Sequence, residues 1–367
     1  MLRVDLTSQR EGNMGQAITV NGAITPDQLG ITMPHVHVLM ELRMNLTEGG
    51  MLLKTEAVTD KVLANKPVTP EILGTIRRHI ALVTDNAILG DIDEMAHELM
   101  AFKSLGGGTV VDCTLIGMAR DPIGLRKISG MTGVNIISSA GWYLNPTHPP
   151  YIKDKSINEL RDMMVREITV GIGDTGIRAG ALKGACSALT PDVPFSGEEE
   201  KVLRATARAQ VETGAGMCIH PCHHWGRARN HQAYINVFKQ EGANLEKITL
   251  SHMEMWARDL DYQKALLDQG INAAYDQFGN EYYYQAATGY TSDILRVEGV
   301  VNLVKAGYVK QIVLANEVSY KSSLRKYGGL GYGHVLENII PDLKHYGITN
   351  EQLHTMLVEN PKRLLSF

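Results

Sequence analysis

Hydrophobic positions along the chain fall into short apolar runs separated by longer stretches with helical periodicity. The short runs are rich in β-branched and small apolar residues, which is typical of buried strands. Eight such runs are present: ITMPHVHVLM (31–40), GGTVVDCTL (107–115), GVNIISSAGW (133–142), GIRAGALKGA (176–185), GAGMCIHP (214–221), EKITLSHME (246–254), GINAAYDQF (270–278) and KQIVLANE (310–317).

The stretches between these runs predict helices, most clearly DIDEMAHELMAFKSLG (91–106) and SGEEEKVLRATARAQVETGA (196–215). In the second stretch, Ser196 and Glu199 have the spacing of a capping box. Strands that alternate with helices predict a parallel sheet, because parallel neighbours need crossover connections. Eight units predict an α/β fold of the (β/α)8 TIM-barrel type, whose active-site groups lie at the C-terminal ends of the strands.

Length and composition favour one large domain. The chain has 367 residues, 44% of them hydrophobic, and no linker rich in Pro, Gly or Ser interrupts it. We therefore expect residues 1–367 to form a single barrel domain with a short N-terminal extension. The barrel strands should run from about residue 30 to residue 317.

The charge pattern and the terminus limit the partners. The formal net charge is -4 and no long Lys/Arg run occurs, so we expect a small-molecule substrate and neither nucleic acid nor a membrane as partner. A homodimer is left open. The start of the chain lacks the apolar core of a signal peptide, and no run reaches the ~18–20 apolar residues of a membrane span, which predicts a cytoplasmic protein.

Two histidines in the first run, His35 and His37, are the first sign of chemistry. Side chains at i and i+2 of a strand share a face, so the two imidazoles would form half of a metal site. An isolated pair of this kind also occurs by chance on surface strands. The remaining candidates stand at other predicted strand ends: Lys183, His220, His252 and Glu317.

A set of four imidazoles, one carboxylate and one lysine suits Zn²⁺ or a similar divalent ion. The lysine is unusual in such a set, because an ammonium group cannot bind a cation. A neutral amine that takes up carbon dioxide becomes a carbamate, which bridges two metals as a carboxylate does. The alternative is that Lys183 extends along the barrel wall or pairs with an acidic side chain.

The ordered residues resemble a known family over almost the entire chain. The pattern H-x-H, Lys, His, His and a strand-8 carboxylate resembles the phosphotriesterase family of the amidohydrolase superfamily. The resemblance extends from VNGAITPDQLGITMPHVH through RAGALKG, IHP, LSHME and YDQFGNEYYY. The blocks KYGGLGYGHVLENIIPDLKHYGIT and LVENPKRLL are most similar to its phosphotriesterase-related (resiniferatoxin-binding) branch.

This resemblance implies a binuclear centre with two divalent metal ions, expected to be Zn²⁺. His35 and His37 would bind the more buried metal, and His220 and His252 the more exposed one. Carbon dioxide, as the carbamate of Lys183, would bridge them. Glu317 would complete the buried site and act as the catalytic carboxylate on the nucleophile, a hydroxide shared by both cations.

Glu317 also marks a departure from the family pattern. The family usually has Asp at the end of strand 8, and the additional methylene of Glu moves the carboxylate by about 1 Å, a distance that matters for catalysis. The related branch often uses Glu as the bridge, whereas this chain has Lys183. The sequence PHVH also lacks the acidic residue that relatives often carry near the histidines.

Loops after strands 3, 5 and 7 supply the expected substrate-binding residues. The segment GWYLNPTH contributes Trp142 and Tyr143, HHWGRARNH contributes Arg227, and YDQFGNEYYY contributes Tyr275, Asp276 and Glu281. Core packing is an equal alternative for Tyr275. Arg227 would grip an anionic group of the substrate, or else would be a solvated loop residue.

Two functions fit these residues. The first is a metal-dependent hydrolase that uses a metal-bridged hydroxide to cleave an ester, lactone, amide or phosphoester bond of a small molecule. The second is a barrel that binds metal and a small ligand with little or no turnover, because Glu317 replaces the usual Asp. We favour the enzyme, since a binding module has no need for all four histidines together with the lysine.

Overall fold

The computed structural model describes residues 15–42, 62–187, 193–221, 229–281 and 292–367. Each of the eight apolar runs contains one strand of a single parallel sheet, and each strand pairs with the next along the chain. In chain order the strands are β1 (Ile31–Val36), β2 (Gly107–Asp112), β3 (Asn135–Gly141), β4 (Ala181–Ala185), β5 (Met217–His220), β6 (Ile248–Leu250), β7 (Asn272–Tyr275) and β8 (Ile312–Leu314).

The sheet curves until its two edges meet. Across the seam the backbone N–H of His37, just after β1, donates to the carbonyl of Val318, beyond β8, at 3.1 Å. This contact brings the C-terminal end of β1 next to that of β8. The predicted (β/α)8 TIM barrel is confirmed, and its strand ends share one rim of the barrel.

Helices cover the outside of the sheet. The α-helices are Leu73–Arg78, Ile92–Ser104, Pro122–Thr132, Ile157–Thr169, Glu199–Thr213, His231–Gln240, Leu260–Leu267, Asp293–Lys305, Ile340–His345, Asn350–His354 and Asn360–Leu365. Two π-helical turns, Val335–Ile339 and Thr355–Glu359, lie within the C-terminal region. Antiparallel pairs join Ala17–Thr19 to Gly22–Ile24 and Met40–Glu41 to Ile88–Leu89. No helix in the described part of the chain is both long and apolar enough to cross a membrane.

The helix predicted to begin near Ser196 begins later, at Glu199. The backbone N–H of Ser196 does donate to the Glu199 carboxylate at 2.9 Å. That carboxylate also accepts from the backbone N–H groups of Asn145 and Ser187. The expected cap is wrong because the Glu199 N–H donates to the Ser196 carbonyl, which places Ser196 in a turn before the helix and makes Glu198 the N-cap. The end at Gly214 is as predicted, since this glycine takes the left-handed conformation (φ 72°) that helix ends favour.

Successive side chains of each strand point alternately into the barrel and outward to the helical layer. On β7, Ala273 packs into the core under the helices, whereas Ala274 faces the barrel interior. The lower interior is closed by Leu364 and Leu365 from the last helix. The upper interior, at the C-terminal strand ends, carries polar side chains.

Candidate metal centre

Six buried polar side chains converge at the C-terminal rim of the barrel. They come from β1, β4 and β5 and from the segments that follow β6 and β8, and each is less than 10% exposed. The structure thus brings together all the residues predicted to hold metal: His35, His37, Lys183, His220, His252 and Glu317. Their ligand roles stay predictions.

Glu317 lies between two histidine pairs. One potential donor atom from each of His35, His37 and Glu317 lies within 4.8 Å of the others, and the same holds for His220, His252 and Glu317. Glu317 Oε1 is 3.0 Å from His35 Nε2 and 3.8 Å from His252 Nε2. The longer side chain therefore reaches both pairs from the end of β8.

Asp276 lies beneath the cluster and orients one ring of each pair. Its Oδ2 is 2.7 Å from His35 Nδ1, and its Oδ1 is 2.7 Å from His252 Nδ1. A carboxylate only accepts, so both Nδ1 atoms donate to it and both Nε2 atoms face the cluster. Such carboxylate–imidazole contacts are typical behind metal-binding histidines.

The backbone of His252 depends on the same carboxylate. This residue has φ 59°, a left-handed conformation that non-glycine residues seldom adopt. Its N–H donates to Asp276 Oδ1 at 2.9 Å, so one carboxylate fixes both the backbone and the ring. Asp276 was expected to line the pocket mouth. The structure instead places it under the imidazoles with no exposed surface.

His37 is oriented through a hydroxyl. Its Nδ1 lies 2.9 Å from Thr114 Oγ1, and that hydroxyl donates to Asp112 Oδ1 at 3.1 Å. The hydroxyl must therefore accept from Nδ1, which leaves Nε2 facing Glu317 at 3.6 Å. Burial lowers the pKa of His37 to about 4, so its imidazole is neutral near pH 7 and able to bind a metal.

The second oxygen of Glu317 is held by an amide. The Gln277 side chain donates to Glu317 Oε2, and Asn280 donates to Gln277 Oε1 at 2.6 Å. Both amides follow β7. They hold the Glu317 carboxylate in one orientation and leave Oε1 toward the imidazoles.

Lys183 lies at the base of the cluster, on β4. Its Nζ is 3.0 Å from His35 Nε2 and 3.3 Å from Cys218 Sγ. The backbone there is crowded, because a Cβ on Gly141 of β3 would approach the Lys183 carbonyl to 2.0 Å. Only glycine at position 141 allows β3 to pass this close to the lysine.

The cluster attracts positive charge. Burial and the Lys183 charge lower the pKa of His35, yet two nearby carboxylates outweigh them and raise that pKa to about 10. For the Glu317 carboxyl, burial alone would raise the pKa. His252 and His35 nevertheless hold it well below its usual range. Nitrogen and oxygen donors, restrained rings and this attraction together fit a divalent transition metal.

Among the described residues that were predicted to bind substrate, Tyr143 contacts the six-residue cluster, as Asp276 does from beneath. Its hydroxyl lies 3.3 Å from His220 Nε2. Glu281 lies on the rim, where it accepts from the backbone N–H of Asp293. Arg227 lies outside the described residues.

Trp142 and Tyr275 are buried in the core instead. Trp142 Nε1 donates to Tyr151 OH at 3.1 Å, and Tyr275 OH donates to Gln263 Oε1 at 3.0 Å. The reason is strand alternation. Asp276 points into the barrel, so its neighbour Tyr275 must point outward to the helices.

Thr114, Gln277 and Asn280 were not identified from the sequence. Each stands close to a strand end, but a Thr, Gln or Asn at such a position matches no recognisable sequence motif. For Asp276 the sequence does contain an indication. It stands two positions beyond Ala274, so the two side chains share the inward face of the strand.

Comparison with known proteins agrees with the geometry. The model of the phosphotriesterase family matches residues 15–365. A phosphotriesterase-related protein of Nematostella vectensis is 34% identical, over 96% of this chain and 99% of that protein. The N-acetyltaurine hydrolase of Salmo salar is 33% identical, over 96% and 98% of the two chains.

A solved structure is similar over the same length. The resiniferatoxin-binding protein from Rhodobacter sphaeroides matches with a TM-score of 0.89 and 31% identity, covering 96% of this chain and 95% of that one. Family and relatives together make this chain a metal-dependent hydrolase. The resemblance seen in the sequence is confirmed, and the chain belongs to the phosphotriesterase family.

Proposed function

We propose that this hydrolase uses a binuclear metal centre to cleave the amide bond of small N-acyl compounds that carry an acidic group. The observation that carries the proposal is the position of Glu317 between two histidine pairs. The amide and the acidic group are suggested by the relatives named as hydrolases of N-acetyltaurine, an acylated aminosulfonate.

In this proposal each histidine pair holds one metal. His35 and His37 would hold the inner ion, His220 and His252 would hold the outer one, and Lys183 as a carbamate would be a ligand of both. Two divalent ions there, expected to be Zn²⁺, would supply Lewis acidity and a water that is ionised near neutral pH. Glu317 Oε1 takes the proton of the attacking water and returns it to the leaving nitrogen.

A cavity next to the cluster could receive the acidic group. It encloses about 260 Å³ between the segment after β7 and the loop after β8. It is lined by Arg77, Ile80, Gly279, Glu281, Ser322, Ser323, Gly328, Gly329 and Leu330. Gly279 lies two residues after Gln277, whose side chain donates to Glu317, so the segment after β7 links the cavity wall to the cluster.

Arg77 and the two serine hydroxyls make this cavity suitable for a sulfonate or carboxylate. The Arg77 guanidinium is anchored by Nη2, which donates to the Gly328 carbonyl at 3.2 Å. One oxygen of Glu281 is engaged by the Asp293 N–H, which reduces its repulsion of an anion.

The substrate assignment is tested on a panel of N-acetyltaurine, N-acyl amino acids, lactones, carboxylic esters and organophosphates. We expect the highest kcat/KM for an N-acyl compound with an acidic group. Hydrolysis of lactones alone would contradict the amide assignment while leaving the hydrolase class intact.

Metal loading tests the bridging role of Lys183. With bicarbonate present we expect close to two divalent ions per chain, and about one in Lys183→Ala, because the bridge is lost. Metal analysis after gel filtration gives the stoichiometry. Unchanged stoichiometry and activity in Lys183→Ala would rule out the bridge.

The partition of ligands predicts selective loss of one ion. His220→Ala should weaken the outer metal and His37→Ala the inner metal, each by more than the ~10–100-fold that loss of a supporting partner costs, with smaller effects on the other site. Titration with a chelator separates the two affinities. Equal loss of both metals from both variants would favour a mononuclear site.

Arg77→Ala tests the anion cavity. We expect KM for acidic N-acyl substrates to rise roughly 10–150-fold, with kcat little changed, because a charge-assisted contact of about 1.5–3 kcal/mol is lost. Arg78→Ala is the matched control, since Arg78 belongs to the same helix but does not line the cavity. An equal effect on uncharged esters would argue against anion recognition.

A further inference from the structure

A second cavity lies inside the barrel, below the metal centre. It measures about 30 Å³, counted as room for the centre of a water-sized sphere. A single water needs about 10–15 Å³ on this measure, so the cavity holds a molecule of two or three heavy atoms. Its lining consists of Pro34, His35, Val111, Ala181, Gly216, Met217, Cys218, Lys247, Thr249, Ala274, Leu364 and Leu365.

Small residues create this space. Barrel interiors are ordinarily filled by layers of bulky branched side chains. Here Ala181 on β4, Ala274 on β7 and Gly216 before β5 occupy inward positions. A Cβ on Gly216 would come within 2.3 Å of the Leu364 carbonyl, so glycine lets the last helix approach and form the floor.

The walls favour an apolar guest. Seven of the lining side chains are hydrocarbon or thioether, and the Lys247 ammonium donates to the carbonyls of Arg363 and Ser366. A buried water usually needs two to four polar partners, which such walls do not readily supply. Cys218 keeps accessible surface although the barrel encloses it, consistent with a thiol facing the void.

Lys183 does not line the cavity, but two of the wall residues contact the amine that the proposed function carbamylates. These two, His35 and Cys218, contact Lys183 Nζ at 3.0 and 3.3 Å. A molecule held in the cavity is therefore separated from Nζ only by these side chains. Of the four histidines of the cluster, only His35 is part of the cavity wall.

We propose that this cavity is a carbon dioxide site that supplies Lys183 from inside the barrel, an inference that rests on the proposed carbamate. Carbon dioxide is linear, triatomic and without a dipole, which matches the size and the lining. In the reaction the Lys183 ammonium first releases a proton to solvent. The nitrogen lone pair then forms a bond to carbon, one carbon–oxygen π bond opens to an oxyanion, and a second proton leaves from nitrogen.

Pressurised crystals test the site without any reaction. Xenon and carbon dioxide, applied separately to crystals of the full chain, should each give one density peak between Ala181, Ala274 and Leu364. Well-ordered water at that place, bonded to the wall and not displaced by gas, would overturn the proposal. This result does not depend on whether Lys183 is carbamylated.

A variant that fills the cavity tests whether carbon dioxide reaches Lys183 through it. Ala274→Val places two methyl groups in it, whereas Ala273→Val adds the same atoms to the outer face of the same strand. Apoprotein is mixed with Co²⁺ and limiting ¹³C-labelled carbon dioxide, and assembly is followed by cobalt absorption and by the ¹³C carbamate signal. We expect assembly to slow at least about tenfold in Ala274→Val but not in Ala273→Val, because the filled space excludes a triatomic guest.

The outcomes separate the two proposals. Carbamate that forms at the wild-type rate in Ala274→Val, with its fold intact by thermal melting, would overturn delivery through the cavity and leave the metal bridge standing. Absence of a ¹³C carbamate signal in the wild type would overturn the carbamate itself, and the delivery proposal with it.

Discussion

Glu317→Gln is expected to lower kcat by roughly 10²-fold or more while most of the metal stays bound. The amide keeps the shape of the side chain and one carbonyl oxygen that can face the imidazoles. It cannot take a proton, so the step assigned to Oε1 is lost. Steady-state kinetics on the best N-acyl substrate, with metal analysis of the same sample, measures both effects.

Glu317→Asp is the companion variant, because it restores the residue usual in the family. Its carboxylate would be withdrawn by one methylene from a position only 3.0 Å from His35 Nε2. We therefore expect lower activity than wild type. A many-fold increase across the whole panel would instead favour the alternative function, a barrel that binds metal and a small ligand with little turnover. Full activity in Glu317→Gln would remove the carboxylate from proton transfer.

Asp276→Asn is expected to weaken metal binding about 10–100-fold, the usual cost of losing a partner behind a ligating imidazole. Asparagine has one carbonyl oxygen, so it can accept from only one of His35 and His252. The other ring loses its acceptor and can turn or change its protonated nitrogen. In the proposed binuclear centre these rings would bind different ions, so one substitution should disturb both sites through a residue outside the proposed ligand set.

Metal dissociation constants from chelator competition, together with the melting temperature of the metal-free protein, measure this effect. Asp112→Asn is the contrasting variant, since Asp112 supports His37 through the Thr114 hydroxyl and the Val38 N–H. It should disturb the inner site selectively. Unchanged affinity at both sites in Asp276→Asn would mean that Asp276 serves packing and not ligand orientation.

The fold and most of the six-residue cluster could be predicted from the sequence, because both depend on local sequence pattern. Short runs of β-branched and small apolar residues marked all eight strands, and each run contains an observed strand. In a barrel of parallel strands all C-terminal ends share one rim, so ligand-type residues at strand ends must come together. The order of these residues was also enough to identify the family.

Residue type and position at a strand end were not enough to predict which residues bind the substrate. Trp142, Tyr275 and Asp276 were predicted together as pocket residues, yet two point to the core and one lies beneath the imidazoles. Strand alternation predicts that Tyr275 and Asp276 face opposite ways. Which of them faces inward becomes certain only when the register of β7 in the sheet is known.

Sequence alone therefore determined the strand and helix pattern, the inward histidines and the family, since these follow from side-chain periodicity and residue order. The tertiary structure decided which groups meet. Asp276 lies 241 positions from His35 along the chain, and barrel closure alone brings them to 2.7 Å. The interior cavity likewise exists because the last helix closes a floor under β4 and β7. Contacts between distant segments depend on sheet closure and packing, which no local pattern encodes.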